Sequence, residues 1–332
     1  MRIVVAADKF RGTLSAPEAV AAIAAPCRAL GHTVSTFPLS DGGEGWLDVF
    51  GGPNRTTEVT GPLGDAVHAA WRYEAGRAVI EMAAASGLVL VGGAEGNDAL
   101  AASTYGTGEL IAAALESGAK RIIVGLGGSA TTDGGLGALR AVFPSRLRGV
   151  TLEVACDVRT RFVDAASVFA PQKGASPAQV ALLEKRLVRL VEVYRDEYGV
   201  DVGDLEGGGA AGGLAGGLAA MGGRLTSGFD LAVEELELDE VVADADLVIT
   251  GEGLVDAASF DGKVVGGMVE LAAENATPVL VVAGDIDRDS LTALLGLPPM
   301  ISLVERSGLD PALHDTRSVI AGAVTEWLGR FP

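Results

Sequence analysis

Short apolar runs rich in β-branched residues alternate with longer stretches in which Ala and Leu recur at helical spacing. This is the pattern of βαβ units around a mainly parallel sheet. Residues 2–7 (RIVVAA) predict a buried strand. Ser15-Ala16-Pro17-Glu18 is a capping box with proline near the first helical position, so a helix should run to about Leu30. Pro26, inside it, predicts an early end or a kink. Gly31 leads into a second strand at 32–39, and the same grammar returns late in the chain with strands at 246–250, 278–283 and 300–304.

The middle of the chain has a different texture. Residues 56–60, 67–73 and 77–82 alternate apolar and polar positions, which predicts antiparallel strands. Further strands are expected at 121–125 and 150–155, and Ser176-Pro177-Ala178-Gln179 is a second capping box opening a long helix towards Glu197. The expected fold is therefore α/β. A Rossmann-like parallel-sheet domain is formed by both chain ends (1–51 plus 226–332), and a second α/β domain is inserted at 52–225, with an active-site cleft between them. There is no internal repeat, and the Gly/Ala-rich 207–223 segment is the one low-complexity stretch.

Composition narrows the function classes. The chain of 332 residues carries 25 Lys+Arg against 44 Asp+Glu, a net charge of −19. That argues against nucleic acid, whose phosphates need a basic face, and against an anionic membrane surface. Cys27 and Cys156 are too few and too far apart for a disulfide framework or a zinc site, and they fit a reducing, cytoplasmic setting. The N-terminus reaches charged residues after a short apolar run and is no signal peptide. The 207–223 stretch has G-xxx-G spacing but is too short and glycine-diluted to span a bilayer.

Candidate chemistry sits in glycine-rich loops that also carry acids: SDGGEG (40–45), GLGGSATTDGG (125–135), EGGGAAGGLAGG (206–217) and TGEG (250–253). Such loops let backbone N–H groups approach an anion, although parallel-sheet turns need glycine anyway. Asp8, Asp41, Asp157 and Glu252 each follow an expected strand, at the carboxyl edge where open α/β sheets bind ligands. Oxygen donors without a His/Cys cluster favour Mg²⁺ over zinc or iron. Asp133, just before a helix, fits a helix cap. Lys9, Arg11, Lys173 and Lys263 stand in loops where positive charge could offset a phosphoryl group. Sharper templates fail: Gly262-Lys263 is no Walker A loop, Ser129 lacks the flanking glycine of a nucleophile elbow, and Gly125-x-Gly127-x-x-Ala130 lacks its ribose-binding acid. His32, His68 and His314 have no nucleophile beside them in sequence.

Taken in order, DKFRGTLSA (8–16), DGGEG (41–45), GLGGSATTDGG (125–135), CDV (156–158), VFAPQKGA (168–175), GAAGGL (209–214) and LVITGEG…D…GK (247–263) resemble the type I bacterial glycerate kinases across almost the whole chain. The resemblance implies two α/β domains around a cleft, and ATP- and Mg²⁺-dependent phosphorylation of D-glycerate to 2-phosphoglycerate. It also implies roles. The matched acids are Asp8, Asp41, Glu44, Asp157, Glu252 and Asp256, with Asp157 or Asp41 as base and Glu252 and Asp256 as metal ligands. Arg11, Lys173 and Lys263 would neutralise phosphate or carboxylate, with Lys9 nearby. Backbone N–H groups of Gly42 and Gly43, of Gly127, Gly128 and Ser129, and of Gly209, Gly212 and Gly213 would cradle substrate or nucleotide.

Several positions depart from the family pattern. Lys9 stands where Ser is usual, Arg11 where Lys is, and Thr160-Arg161 replace Asn-Pro. Leu254 and Ala258 replace an Arg and a Gln, and Glu206 a Pro. Lys9 and Arg161 are the candidates to restore the lost charge from other loops. The alternative to a kinase is a divergent relative that binds a nucleotide or anionic metabolite without transferring phosphate, for which Leu254 and Ala258 are the motive. The expected partner is a small-molecule hydroxy acid, and a homo-oligomer stays open.

Overall fold

In the computed structural model, which describes residues 1–331, the strands are β1 (Arg2–Ala7), β2 (Thr33–Pro38), β3 (Arg55–Thr60), β4 (Ala66–Glu74), β5 (Arg77–Glu81), β6 (Arg121–Gly125), β7 (Thr151–Ala155), β8 (Arg224–Thr226), β9 (Leu247–Val255), β10 (Val279–Ile286) and β11 (Met300–Ser302). The chain divides into two compact units. The first joins Met1–Asp41 to the C-terminal segment from Phe229, and the second is Gly42–Gly228.

The first unit holds an all-parallel sheet ordered β11-β10-β9-β1-β2. Its central strands are buried on both faces, which is why they are continuously apolar rather than alternating. Ile3, Val5, Ile249 and Val282 pack with the helices Ala16–Ala29 and Thr316–Leu328. The intervening Val281 and Ala283 pack on the other face with Val255 and with Val265 of the helix Val264–Glu274. Counted within the unit, the strand order is 2-1-3-4-5, so the topology reverses between β1 and β9 and the loops after these strands diverge there.

Two local expectations shift for physical reasons. The capping box at Ser15 and Glu18 forms, but the helix runs through Pro26 and ends at Ala29. Pro26 lies in the last turn, where its missing N–H removes one hydrogen bond and its carbonyl still accepts from Leu30 (3.1 Å). β9 outlasts its apolar stretch because β10 pairs with it as far as Asp285–Leu254 and Ile286–Val255, while its pairing with β1 stops at Val5–Ile249. Glu252 therefore lies within a strand, not after one.

The second unit has one mixed sheet, β3-β4-β5-β6-β7-β8. β3, β4 and β5 pair antiparallel, as their alternation predicts, and β5 to β8 pair in parallel. Its core packs Ile80, Ile122, Val124, Leu152 and Val154, which share one face of the sheet, with helical residues such as Leu110, Leu187 and Leu214. The helix Pro177–Tyr198 starts at the expected Ser176/Gln179 box. It fixes the loop after β6 from behind: buried Tyr194 donates its hydroxyl proton to the Gly134 carbonyl (2.9 Å). Among the described residues no helix is long and apolar enough to cross a membrane.

Candidate active site

At the β1/β9 reversal of the first unit, several sequence-selected residues come together. Asp8 follows β1 directly, and its N–H donates to Gly251 of β9 (3.0 Å). Asp8 Oδ1 accepts the backbone N–H of Lys9 (2.6 Å) and faces Lys9 Nζ (3.5 Å). Burial pushes the Asp8 carboxyl up to about 6, opposed by Lys9 and reinforced by the charge of Asp41. Glu252 is pushed up to about 7, first by burial and further by Asp8 and Asp256, with Ser259 and Lys263 acting the other way. Its Oε1 is buried without a hydrogen-bond partner. Asp256 is committed to a cap, since Oδ1 accepts from the Ser259 N–H (3.0 Å) at the head of the turn Ala257–Phe260. Lys263 stands at the N-cap of Val264–Glu274, and Arg11 is exposed on the turn after β1.

In the second unit the loop after β6 is packed backbone on backbone. Gly127 donates to the Gly42 carbonyl (3.2 Å), and a Cβ on Gly127 would fall 2.3 Å from Gly43 Cα. Gly42 in turn lies against Ala155 at the end of β7. Glu44 is exposed on the same turn, and Asp157 Oδ1 accepts the Gly228 N–H (3.0 Å). Asp133 acts as a cap, as its position suggested. Its carboxylate takes the N–H and hydroxyl of Thr104 and the N–H groups of Gly135 and Gly137.

Lys173, expected as a loop cation that offsets a phosphoryl group, is deeply buried. It is 3% exposed, and Nζ lies 2.7 Å from Ser129 Oγ and 2.6 Å from the Thr131 carbonyl oxygen. Burial pulls its pKa down to about 7, against a smaller opposing effect of Asp133. An ammonium so desolvated, with no carboxylate bonded to it, is a poor permanent clamp for phosphate.

In the Gly/Ala-rich segment, two of the N–H groups expected to meet a phosphate are already bonded within the chain. The Gly209 N–H is taken by the Thr160 carbonyl (2.9 Å) and that of Gly213 by Gly209 (3.1 Å). Gly212 packs so closely on Thr131 that a Cβ would come within 2.0 Å of its carbonyl oxygen. These glycines serve close packing beneath the 125–135 loop. By contrast, no hydrogen bond among the described residues uses the N–H of Gly128 or Ser129. Arg161, the other candidate to restore charge, is paired with Asp164 (2.7 Å) and Asp204 (2.9 Å) on an exposed surface. Leu254 and Ala258 are both exposed.

Sequence reading missed Ser259, the Thr131 carbonyl and Asn97. Asn97 donates from Nδ2 to the carbonyls of Ala130 (3.0 Å) and Lys173 (2.8 Å), fastening the two loops together. Ser259 could have been found as the third residue of a D-x-x-S cap, but nothing near Asn97 in sequence signals its role.

The model of the glycerate kinase family matches residues 3–144 and 142–328 of the chain. The glycerate 2-kinase of Escherichia coli K12 is 39% identical, over 96% of this chain and 91% of its own length. The glycerate kinase of Bacillus subtilis 168 is 39% identical over 87% and 86%. A Salmonella typhimurium LT2 protein of known crystal structure, provisionally described as glycerate kinase 2, superposes with a TM-score of 0.84 at 35% identity, covering 99% of this chain and 98% of that one. The chain belongs to the glycerate kinase family, and it is a kinase.

Proposed function

We propose that this kinase transfers the γ-phosphoryl group of ATP to a hydroxyl of D-glycerate, giving 2-phosphoglycerate, in the cytoplasm. The observation that carries the reading is the meeting of Asp8, Asp41, Glu252 and Asp256 with Lys9 and Lys263 where the first unit's sheet reverses. Open α/β sheets bind their ligands at such reversals. Phosphoryl transfer asks the protein mainly to position reactants and offset charge, which needs both signs at one place.

Whether the residues suit Mg²⁺ can be judged from their chemistry. Among the described residues no three His, Cys, Asp or Glu side chains are grouped as a cation cage. Mg²⁺ on a nucleotide needs only one or two protein carboxylates beside phosphate and water oxygens. Glu252, with its orphaned buried Oε1, and Asp8 meet that need, whereas Asp256 is engaged in its cap. When bound there, Mg²⁺ supplies positive charge to the β- and γ-phosphates. In this assignment Lys9, Arg11 and Lys263 offset phosphate or carboxylate charge, and the N–H groups of Gly128 and Ser129 receive an anion. Asp41, beside Asp8, is the base that orients the acceptor hydroxyl in this reading, with Asp157 of the second unit as the other candidate for that role.

The alternative, binding without transfer, is favoured by one observation: an apolar Leu254, 53% exposed, stands where the resemblance implies an Arg, so this position itself supplies no cation. An assay coupling ADP release to D-glycerate and Mg·ATP decides between the two. Steady turnover supports the kinase; nucleotide binding by calorimetry with no ADP formed sinks it. Leu254→Arg with Ala258→Gln should leave wild-type turnover of D-glycerate nearly unchanged if glycerate is the true substrate. A large gain would mean that another hydroxy acid is.

Mg²⁺ should raise the melting temperature of the wild type, and Glu252→Gln should abolish that rise while remaining folded. An equal rise in the variant would remove Glu252 from the metal site.

A further inference from the structure

The second unit buries a lysine that phosphate handling does not explain. Lys173 ends the turn Pro171–Lys173, and its Nζ reaches two oxygens, the Ser129 hydroxyl and the Thr131 carbonyl. An ammonium has three protons to donate and needs a counter-charge when buried. A neutral amine fits these partners better: one N–H donates to Thr131, and the nitrogen lone pair accepts the Ser129 hydroxyl proton. Among the described residues Asp133 is the charged group whose field reaches Nζ, and its carboxylate is taken up by Thr104, Gly135 and Gly137. Asn97 ties the Lys173 carbonyl to that of Ala130, and Gly174 packs on the Ala94 carbonyl. The N–H groups of Ser129 and Gly128 have no hydrogen bond among the described residues; Ser129 is 8% exposed and the adjoining Gly128 is exposed.

We propose that Ser129 and Lys173 form the proton relay of phosphoryl transfer, with Ser129 as the catalytic residue that touches the acceptor hydroxyl and Lys173 as the group that stores the proton. This rests on the kinase reading above and names the proton acceptor in it. As the acceptor oxygen bonds to the γ-phosphorus, the bond from that phosphorus to the β,γ-bridging oxygen breaks and ADP leaves. The acceptor's proton passes to Ser129 Oγ while the proton of Ser129 passes to Lys173 Nζ. The resulting ammonium releases its proton to solvent before the next turnover. Burial, by lowering the proton affinity of Lys173 to near neutrality, makes both halves of that cycle accessible.

Three variants test the relay. Lys173→Arg keeps a permanent charge but cannot accept a proton; Lys173→Ala leaves room for a small amine; Ser129→Ala removes the intermediary in a position that tolerates a small side chain. Each should lower kcat by about 10²–10⁴-fold with KM for both substrates little changed. Primary amines should rescue Lys173→Ala in proportion to their basicity. Near-wild-type kcat in Lys173→Arg or Ser129→Ala, or no rescue of a folded Lys173→Ala, overturns the relay and returns the base to Asp41 or Asp157.

A readout independent of turnover separates this inference from the kinase reading. In ¹⁵N NMR of the lysine side chains, Nζ of Lys173, assigned by its loss in Lys173→Met, should change from ammonium to amine near neutral pH. Persistence of the ammonium to about pH 9 overturns the relay even if the kinase reading stands. Absence of wild-type turnover overturns the kinase reading whatever the titration shows.

Discussion

Lys173→Met should be more stable than the wild type at about pH 6.5, less stable at about pH 11, and about 10²–10⁴-fold slower in turnover. The folded pKa of Lys173 is about 7, and an unconstrained lysine titrates at 10.5. Below about 7 the folded and unfolded chains both hold the proton, so the full cost of burying the ammonium is present. Between these values the unfolded chain binds a proton that the folded chain does not, and wild-type stability rises with pH. Above 10.5 neither form is charged and the cost is gone. The penalty at low pH is on the order of 5 kcal/mol, from the free energy of each pKa unit. Methionine removes it but leaves the Thr131 carbonyl and Ser129 hydroxyl without their partner, which costs about 1–3 kcal/mol. The net gain at about pH 6.5 is therefore roughly 2–4 kcal/mol, and the sign reverses once lysine is neutral. Urea unfolding followed by Trp46 and Trp71, both in the second unit, measures it. A variant less stable at every pH would mean that Lys173 is not strained by its burial.

That residue also shows how far sequence reading reaches. The motif PQKGA picked out Lys173 as a charged group in a loop, and the chain does place it beside the GLGGSATTDGG loop. What sequence could not show is that Asn97, 76 positions earlier, would tie that turn to the loop through its carbonyl, or that the amine would be buried with no carboxylate bonded to it. Strands were legible because burial on one or two faces writes itself into the apolar pattern, as in β1 and β3–β5. The lengths of β9 and β11 were not, because they depend on which neighbour pairs alongside: β10 extends β9 past Glu252, and Ser302 ends β11 by capping the helix Leu303–Ser307 (3.1 Å to the Glu305 N–H). Glycines were legible as a class and ambiguous in role. Close backbone approach to an anion and close backbone approach to another loop demand the same residue.

Gly212→Ala separates those two roles and should be among the most damaging single substitutions in the second unit. Gly212 has φ +68°, a left-handed conformation that costs alanine about 1–2 kcal/mol. Its Cβ would also stand 2.0 Å from the Thr131 carbonyl oxygen and 2.6 Å from Thr132 Cα, backbone atoms that cannot swing aside as a long side chain can. Retreat of Thr131 would pull its carbonyl from Lys173 Nζ, and movement of Gly212 would break the bond from the Gly134 N–H to the Gly212 carbonyl (3.0 Å). A loss of about 3–5 kcal/mol follows from strain and overpacking together. Gly222→Ala is the control: φ is +92° there too, but nothing lies within 4 Å of the added Cβ, so only the backbone strain remains. Unfolding of both variants in urea, read at Trp46 and Trp71, should therefore differ by about 2–3 kcal/mol. Kinase turnover should fall sharply in Gly212→Ala even where it is fully folded, because Ser129 and Lys173 depend on the loop it displaces. Equal stability of the two variants would show that the 125–135 loop gives way without cost, and Gly212 would then be free to serve a ligand instead of the packing of the loop.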